Sequence, residues 1–175
     1  MITQAIQVLS SFIGALGFSI LFNVRGKKLF FAGLGGLVSW TVYLVMASMT
    51  TSTFLPNLAA SMAATVYAEA LARLAKSPAT IFLIGAIIPL VPGGQLYYTM
   101  NYAVAKNWGL FAMYGQRTLI TAMAVSGGIM MVSSVYRLYN GLVLGRVKKE
   151  RQTNKNGHGN VRKLQKTPIH GRKKV

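Results

Sequence analysis

The stretch Ile87-Ile88-Pro89-Leu90-Val91-Pro92-Gly93-Gly94 decides the fold, because it interrupts an apolar segment that carries no charge between Lys76 and Lys106. Proline has no backbone N–H, and in a helix interior it costs about 3 kcal/mol. The glycines that follow loosen the backbone further. Backbone groups freed in hydrocarbon need partners, so a broken helix persists only inside protein or beside a watery cavity. The stretch therefore predicts a broken membrane helix; the alternatives are a packed kink or a loop at the membrane face.

The composition of the chain is typical of an integral membrane protein. Of the 175 residues, 53% are hydrophobic, and uncharged stretches near the ~20 residues of a membrane span recur along the chain. The net charge of +17 is uneven, because most Lys and Arg residues follow Gly145. We predict an all-α integral membrane protein, with a transmembrane domain over residues 1–144 and a disordered basic tail over residues 145–175.

Hydropathy and turn residues predict five transmembrane helices. Their approximate ranges are Ile2–Phe22, Leu29–Met49, Phe54–Leu74, Ala79–Ala105 and a span within Leu110–Tyr139. The fourth would be about 40 Å long as one straight helix. That length exceeds a hydrocarbon core of ~30 Å, and a break at Pro89–Gly94 resolves the mismatch.

Two predicted spans carry small residues, which allow neighbouring membrane helices to approach closely. The second span has Gly33, Gly35, Gly36 and Ser39, and the third has Ala59, Ala60, Ala63, Ala64 and Ala68.

The distribution of basic residues predicts the orientation. With five spans, Arg25, Lys27, Lys28, Arg73, Lys76 and the tail fall on one side of the membrane. By the positive-inside rule that side is the cytoplasm, with the amino terminus outside and the carboxyl terminus inside a cell (inner) membrane. No charge precedes Arg25, so we expect the first span to be retained rather than cleaved as a signal peptide.

The sequence shows no catalytic constellation. It has no cysteine, no pair of membrane carboxylates, no histidine near a serine and no phosphate-binding Gly-Lys-Ser/Thr loop. We therefore expect no enzymatic activity, no cofactor and no metal site.

Three charged residues in the membrane domain are candidates for function. Glu69 is its only acid, and an ionisable group in a span could carry a proton or bind an ammonium group. Arg73 lies one turn further on, so a structural ion pair is the alternative. Arg117 could anchor a carboxylate through its guanidinium, or extend to water at the end of a span.

Polar side chains follow the break, and a discontinuous membrane helix is where transporters bind solutes. The predicted substrate pathway comprises Pro89, Pro92, Gly93, Gly94, Gln95, Tyr97, Tyr98 and Asn101, with Thr99 among its polar groups. Hydroxyls, amides and the positive end of the second half-helix suit a zwitterionic or hydroxylated solute. The tyrosines could equally form an interfacial aromatic belt.

The basic tail is expected to attract anionic lipid, at about 1 kcal/mol for each basic residue near the surface. No aromatic residue interleaves with the basic ones after Tyr139, which disfavours nucleic acid as a partner.

Several motifs occur in order along the chain: Gly17-Phe18, Phe22-Asn23-Val24, Glu69 with Ala72-Arg73, Pro78-Ala79-Thr80 and Ile88-Pro89-Leu90-Val91-Pro92-Gly93. Together they resemble the smaller half of the threonine/serine exporter family over about Ile6–Val135. The Pro-Leu-Val-Pro-Gly element is the most specific of them. The family positions that match are Asn23, Glu69, Arg73, Pro89, Pro92 and Gly93.

The resemblance implies the small subunit of a proton-coupled, two-part exporter for threonine, serine or a related small carboxylate, with a larger membrane subunit of the same family as its partner. Two other functions stay open. The chain could stabilise the larger subunit without transporting, or it could be a membrane anchor whose tail binds anionic lipid or RNA.

Overall fold

The computed structural model describes the backbone of residues 2–165, and the side chains of residues 2–139 and 141. The chain forms two compact units, Met1–Ser134 and a second unit that begins at Val135. All contacts described below lie within the first unit. The predicted boundary at residue 145 stays a prediction.

The described residues form α-helices and contain no β-strand, which confirms the all-α class. The helices are α1 (Ile2–Leu21), α2 (Lys27–Met49), α3 (Phe54–Leu74), α4 (Ala79–Ile87), α5 (Gly93–Val104) and α6 (Trp108–Gln165), with a 3₁₀ turn at Ile88–Leu90. The predicted break thus lies where the sequence placed it, between α4 and α5.

Three helices end in the same way, with one residue in the left-handed conformation. Asn23, Lys76 and Lys106 have φ of 58°, 47° and 54°. After each of them, the next backbone N–H donates to a carbonyl five residues back, as in Val24 N to Ser19 O at 3.0 Å. This closing bond satisfies carbonyls that the helix end would leave unpaired, and it reverses the chain sharply.

Length and hydropathy alone support fewer spans than the five predicted. Within the described residues, α1, α2 and Trp108–Tyr139 are long and apolar enough to cross a membrane, and α4 with α5 makes a fourth span if the bent pair counts as one. Helix α3 has 21 residues but is not among these candidates. Glu69, Arg73 and the polar residues Asn57, Ser61 and Thr65 lower its hydropathy, and the last three are buried against the protein.

Helix α2 packs against α1, α3 and α4. The small residues Gly33, Gly35, Gly36 and Ser39 are buried at these contacts, as predicted from their size. On α3, Ala60, Ala64 and Ala68 of the predicted small face are buried, whereas Ala59 and Ala63 are half-buried. Ala32, Ala68, Ala72 and Phe82 form an apolar cluster between α2, α3 and α4.

The last part of α6 lies within the segment predicted as a tail. The backbone of α6 continues to Gln165, whereas a disordered tail was predicted from Gly145. Disorder of this segment stays a prediction. The rest of the predicted tail, residues 166–175, lies outside the described residues.

Candidate functional site in the broken fourth helix

The break in the fourth segment is a sharp change of helix direction. Helix α4 ends at Ile87, the 3₁₀ turn covers Ile88–Leu90, and α5 starts at Gly93 with its axis bent by 52° from that of the preceding segment. Val91 is extended, with φ of −65° and ψ of 125°. Pro89 and Pro92 cannot donate the backbone hydrogen bonds of a continuous helix, so the interruption follows from their positions.

The break lies beside the middle of α2 rather than at its end. Ser39 Oγ donates to Ala86 O at 2.6 Å, and Ser39 is near the centre of the 23-residue α2. A Cβ atom built on Gly35 would lie 2.8 Å from that of Ala86, so the two backbones approach closely at this level. If α2 spans the membrane, the break therefore lies near mid-depth.

A carbonyl just before the break accepts a hydrogen bond from a neighbouring helix. The Ser39 hydroxyl has one proton, and its contact with Ala86 O at 2.6 Å is shorter than its contact with Gly36 O at 3.0 Å. Close packing against the same helix supports this arrangement, because a Cβ on Gly85 would lie 2.9 Å from Ala32 O. The carboxyl end of α4 is therefore fixed against α2.

In contrast to the carboxyl end of α4, the amino end of α5 is not covered by other residues. No side chain caps it by a hydrogen bond. Gly93 and Gly94 are exposed, and a Cβ on either would meet no atom within 4 Å. Gly93 N donates to Val91 O at 2.7 Å. Unpaired N–H groups and the helix dipole make such an end attractive to an anionic group.

The polar residues predicted for the pathway fall on two faces of α5. Gln95, Tyr98 and Thr99 face α6: Thr121 Oγ1 donates to Gln95 Oε1 at 3.3 Å, and the hydroxyls of Thr99 and Thr118 are 3.5 Å apart.

Tyr97 and Asn101 are exposed on the opposite face, in line with Gly93 at a spacing of four residues. The structure thus brings Gly93, Gly94, Tyr97 and Asn101 together on an open face, and separates them from Gln95, Tyr98 and Thr99.

A tyrosine cluster joins α5 to α6. The ring centroids of Tyr98 and Tyr102 lie 5.4 Å from that of Tyr114, and 6.4 Å from one another. Tyr102, Tyr114, Thr118 and Thr121 were not among the predicted site residues. The spacing of four residues places Tyr98 and Tyr102 on one face of a helix, so the sequence could have indicated that these two rings lie together. Their pairing with α6 depended on the short antiparallel connection at residues 105–107.

The charged candidates lie toward the ends of their helices. Glu69 is half-buried and Arg73 is exposed, both in the last third of α3, while Arg117 is exposed in the third turn of α6. The break is level with the middle of α2, so the structure does not place these three residues at the break. Whether Glu69 carries a proton, and whether Arg117 anchors a carboxylate, stay hypotheses.

A buried polar stripe on α3 was also missed. Asn57, Ser61 and Thr65 are at most 5% exposed, and Ser61 Oγ lies 3.5 Å from Ala124 O of α6. Gly128 makes this contact possible, because a Cβ there would clash with Ser61 Oγ and lie 2.9 Å from Leu58 O. The spacing of four residues between Asn57, Ser61 and Thr65 places them on one helix face, and this spacing could have revealed the polar stripe from the sequence.

An open groove of about 680 Å³ lies between the amino half of α1 and the carboxyl half of α2. Its lining includes Gln4, Val8, Leu9, Thr41, Val45 and Ser48. None of the predicted pathway residues lines it.

Comparison with known proteins gave one family match. The family model described as "Threonine/Serine exporter, ThrE" matches residues 7–135, which is most of the chain and includes the break. Comparisons with curated proteins and with solved structures found no match.

Proposed function

The chain belongs to the threonine/serine exporter family, and from this premise we propose that it is the small subunit of a two-part exporter for threonine, serine or a related small carboxylate. Family membership and the apolar helices make it a membrane protein of a transport family. The exported solute, the larger partner subunit and the coupling to protons belong to the proposal. So do the cell (inner) membrane, the outside amino terminus and the cytoplasmic carboxyl terminus. The protein would move its solute without changing it covalently.

The observation that carries the proposal is the open amino end of α5 beside a break near mid-depth. A solute carboxylate would accept hydrogen bonds from the N–H groups at Gly94 and Gln95. The exposed side chains of Tyr97 and Asn101 lie one and two turns further along that face and would meet the rest of the solute. Such contacts would replace part of the water shell that the solute loses inside the membrane.

Proton coupling would use Glu69, the only acid of the first 144 residues. Glu69 is half-buried, and an ionisable group within a membrane span is a candidate proton carrier. The structural ion pair with Arg73 remains the competing role. The basic tail would hold the cytoplasmic side against anionic lipid.

The test of the proposal is efflux of threonine, serine and succinate from cells that express the chain alone or together with a larger subunit of the same family. The Pro89→Ala/Pro92→Ala variant should lose most of the efflux, because a restored helix has no open amino end at mid-depth. Pro78→Ala is the matched control, since Pro78 precedes α4 and lies outside the break.

The amount of protein in the membrane fraction must be equal for all variants. Normal efflux from the double variant would contradict the pathway. Efflux that requires only polar residues of the larger subunit would favour a stabilising role for this chain instead.

A further inference from the structure

The turn before α2 and the turn after α3 bring lysines to one end of the membrane domain. Helices α2 and α3 pack together and are joined by the short connection 50–53, so they run antiparallel. Ala32 and Ala72 belong to the apolar cluster between them. Lys28 precedes Ala32 by four residues, and Lys76 follows Ala72 by four. The two lysines therefore lie at the same end of the contact between α2 and α3.

The turn before α2 adds further positive charge at this end. We call Arg25, Lys27, Lys28 and Lys76 the basic cluster, and all four residues are exposed. Neither turn contains an acid, and the only acid among the first 144 residues is Glu69, about two helical turns before Lys76. The charge of the basic cluster is therefore not neutralised by carboxylates of its own turns.

Two helices also begin at this end, and neither is capped by a side-chain hydrogen bond. Helix α2 begins at Lys27, and α4 begins at Ala79, which packs against the apolar cluster. The first N–H groups of a helix and the helix dipole give its amino end a partial positive charge. Lysine side chains and helix ends thus favour an anion at the same place.

Large apolar side chains are exposed beside the basic cluster. Phe22, Phe30 and Leu74 are 56%, 55% and 81% exposed, and each lies two or three residues from a member of the cluster. A water-soluble anion would bind the charges and leave these side chains in water. A phospholipid would cover them with its acyl chains while its phosphate meets the basic groups. The combination of charge and apolar surface therefore favours a lipid over a soluble anion.

We propose that the basic cluster is a binding site for an anionic phospholipid, with the phosphate held between Lys28 and Lys76. The site belongs to the membrane domain itself and does not require the basic tail. The opposite end of the domain differs, because the connection 50–53 is uncharged and Lys106 is the only charged residue of the connection 105–107. The inference holds whether or not the proposed solute is correct.

Local enrichment of lipid tests the site, because the chain has no native cysteine and one fluorophore can be attached at a chosen position. Leu74→Cys carries the fluorophore beside the basic cluster, and Met49→Cys, at 77% exposure, carries it at the opposite end as the control. The full-length protein is reconstituted in vesicles of phosphatidylcholine and phosphatidylglycerol, with brominated acyl chains on one lipid or the other. Brominated phosphatidylglycerol should quench the label at Leu74 more strongly, whereas the two lipids should quench the label at Met49 equally.

The role of the lysines is tested in the Leu74→Cys background, with the tail intact. Lys28→Gln/Lys76→Gln should lower the preference for phosphatidylglycerol by about fivefold for each lysine, which corresponds to about 1 kcal/mol for each basic residue at an anionic surface. Lys28→Arg/Lys76→Arg keeps the charge and should retain the preference. Lys106→Gln is the matched control, since Lys106 is exposed and follows a helix in the left-handed conformation, as Lys76 does.

Three results would overturn the proposal. Equal quenching by the two lipids at Leu74 would show that no anionic lipid is enriched there. A preference that survives Lys28→Gln/Lys76→Gln, or falls no further than in Lys106→Gln, would assign the attraction to the tail or to net charge. Inorganic phosphate, compared with sodium chloride at the same ionic strength, should not reduce the preference, and a reduction would assign the basic cluster to a soluble anion.

Discussion

The contacts among α1–α4 and the contact between α5 and α6 are built on opposite plans. In α1–α4, backbones meet through small residues: a Cβ on Gly36 would lie 2.5 Å from that of Ala15, and one on Gly85 would lie 2.8 Å from Ser19 Oγ. Helix α5 has no buried residue and contacts α6 through long polar and aromatic side chains such as Gln95 and Tyr98.

The difference shows which part of the protein is closely packed and which part is open to a solute. Close backbone contact between small residues is how membrane helices associate without a hydrophobic driving force, and it leaves no space for a solute. Longer side chains hold the α5–α6 hairpin together and leave the amino end of α5 uncovered. The break at Pro89–Pro92 separates the two kinds of packing, because α4 before it is closely packed and the amino end of α5 after it is open.

The largest effect on stability is expected where the close packing of α1–α4 is disturbed. Gly85→Val should destabilise the protein by about 1–3 kcal/mol, because the new side chain meets Ala32 O and Ser19 Oγ and the backbone oxygen cannot move aside. Unfolding in mixed micelles with increasing denaturing detergent measures this change. Gly17→Val is the matched control, since a Cβ there meets nothing within 4 Å. Equal losses from both variants would show that α1–α4 are not closely packed at Gly85.

The hydrogen bond that fixes the end of α4 should have the next largest effect. Ser39→Ala removes the 2.6 Å bond to Ala86 O and leaves a carbonyl beside the break without this donor, at a cost of about 1–2 kcal/mol. Ser48→Ala, which loses only a bond to Val45 O of its own helix, should change stability little. The same detergent titration compares the two. If Ser39→Ala is as stable as Ser48→Ala, the end of α4 does not depend on α2.

The elements of this comparison were visible in the sequence to different degrees. Pro89, Pro92 and Gly93 predicted the break, because proline acts on its own backbone whatever surrounds it. Gly33, Gly35 and Gly36 predicted close packing, because a residue without a side chain lets a neighbouring backbone approach in any membrane helix. Both features are local, and the structure confirms both.

The candidate site was less predictable because it depends on which helix faces which. Tyr97 and Tyr98 are adjacent in the sequence, yet Tyr97 is on the exposed face of α5 and Tyr98 packs on Tyr114. Ser61 stands in a span rich in alanine, and only the fold places Gly128 of α6 against it. Such pairings join residues far apart in the chain, and neither hydropathy nor spacing determines them.

The polar contact within the hairpin should have a smaller effect than either core change. Thr121→Val keeps the shape of the side chain but removes the 3.3 Å hydrogen bond to Gln95, so the expected loss is about 0.6 kcal/mol. Thr41→Val is the control, because its hydroxyl bonds only to Leu37 O in its own helix and is exposed. A loss as large as that of Gly85→Val would mean that the hairpin is held as firmly as α1–α4.

The smallest effect on stability, and the sharpest contrast between the two plans, is expected at Gly94. A Cβ on Gly94 meets no atom within 4 Å, so Gly94→Ala should leave stability unchanged or raise it by less than about 1 kcal/mol. The added methyl group would nevertheless crowd the open end of α5, so solute efflux should fall while the protein stays folded. Gly14→Ala, which is equally unobstructed but lies on α1, should leave efflux unchanged. Gly85 and Gly94 lie on either side of the same break. The two variants would therefore show that Gly85 is needed for packing and Gly94 for access of the solute. Unchanged efflux from Gly94→Ala would remove the open helix end from the transport mechanism, and would leave the break with only a role in packing.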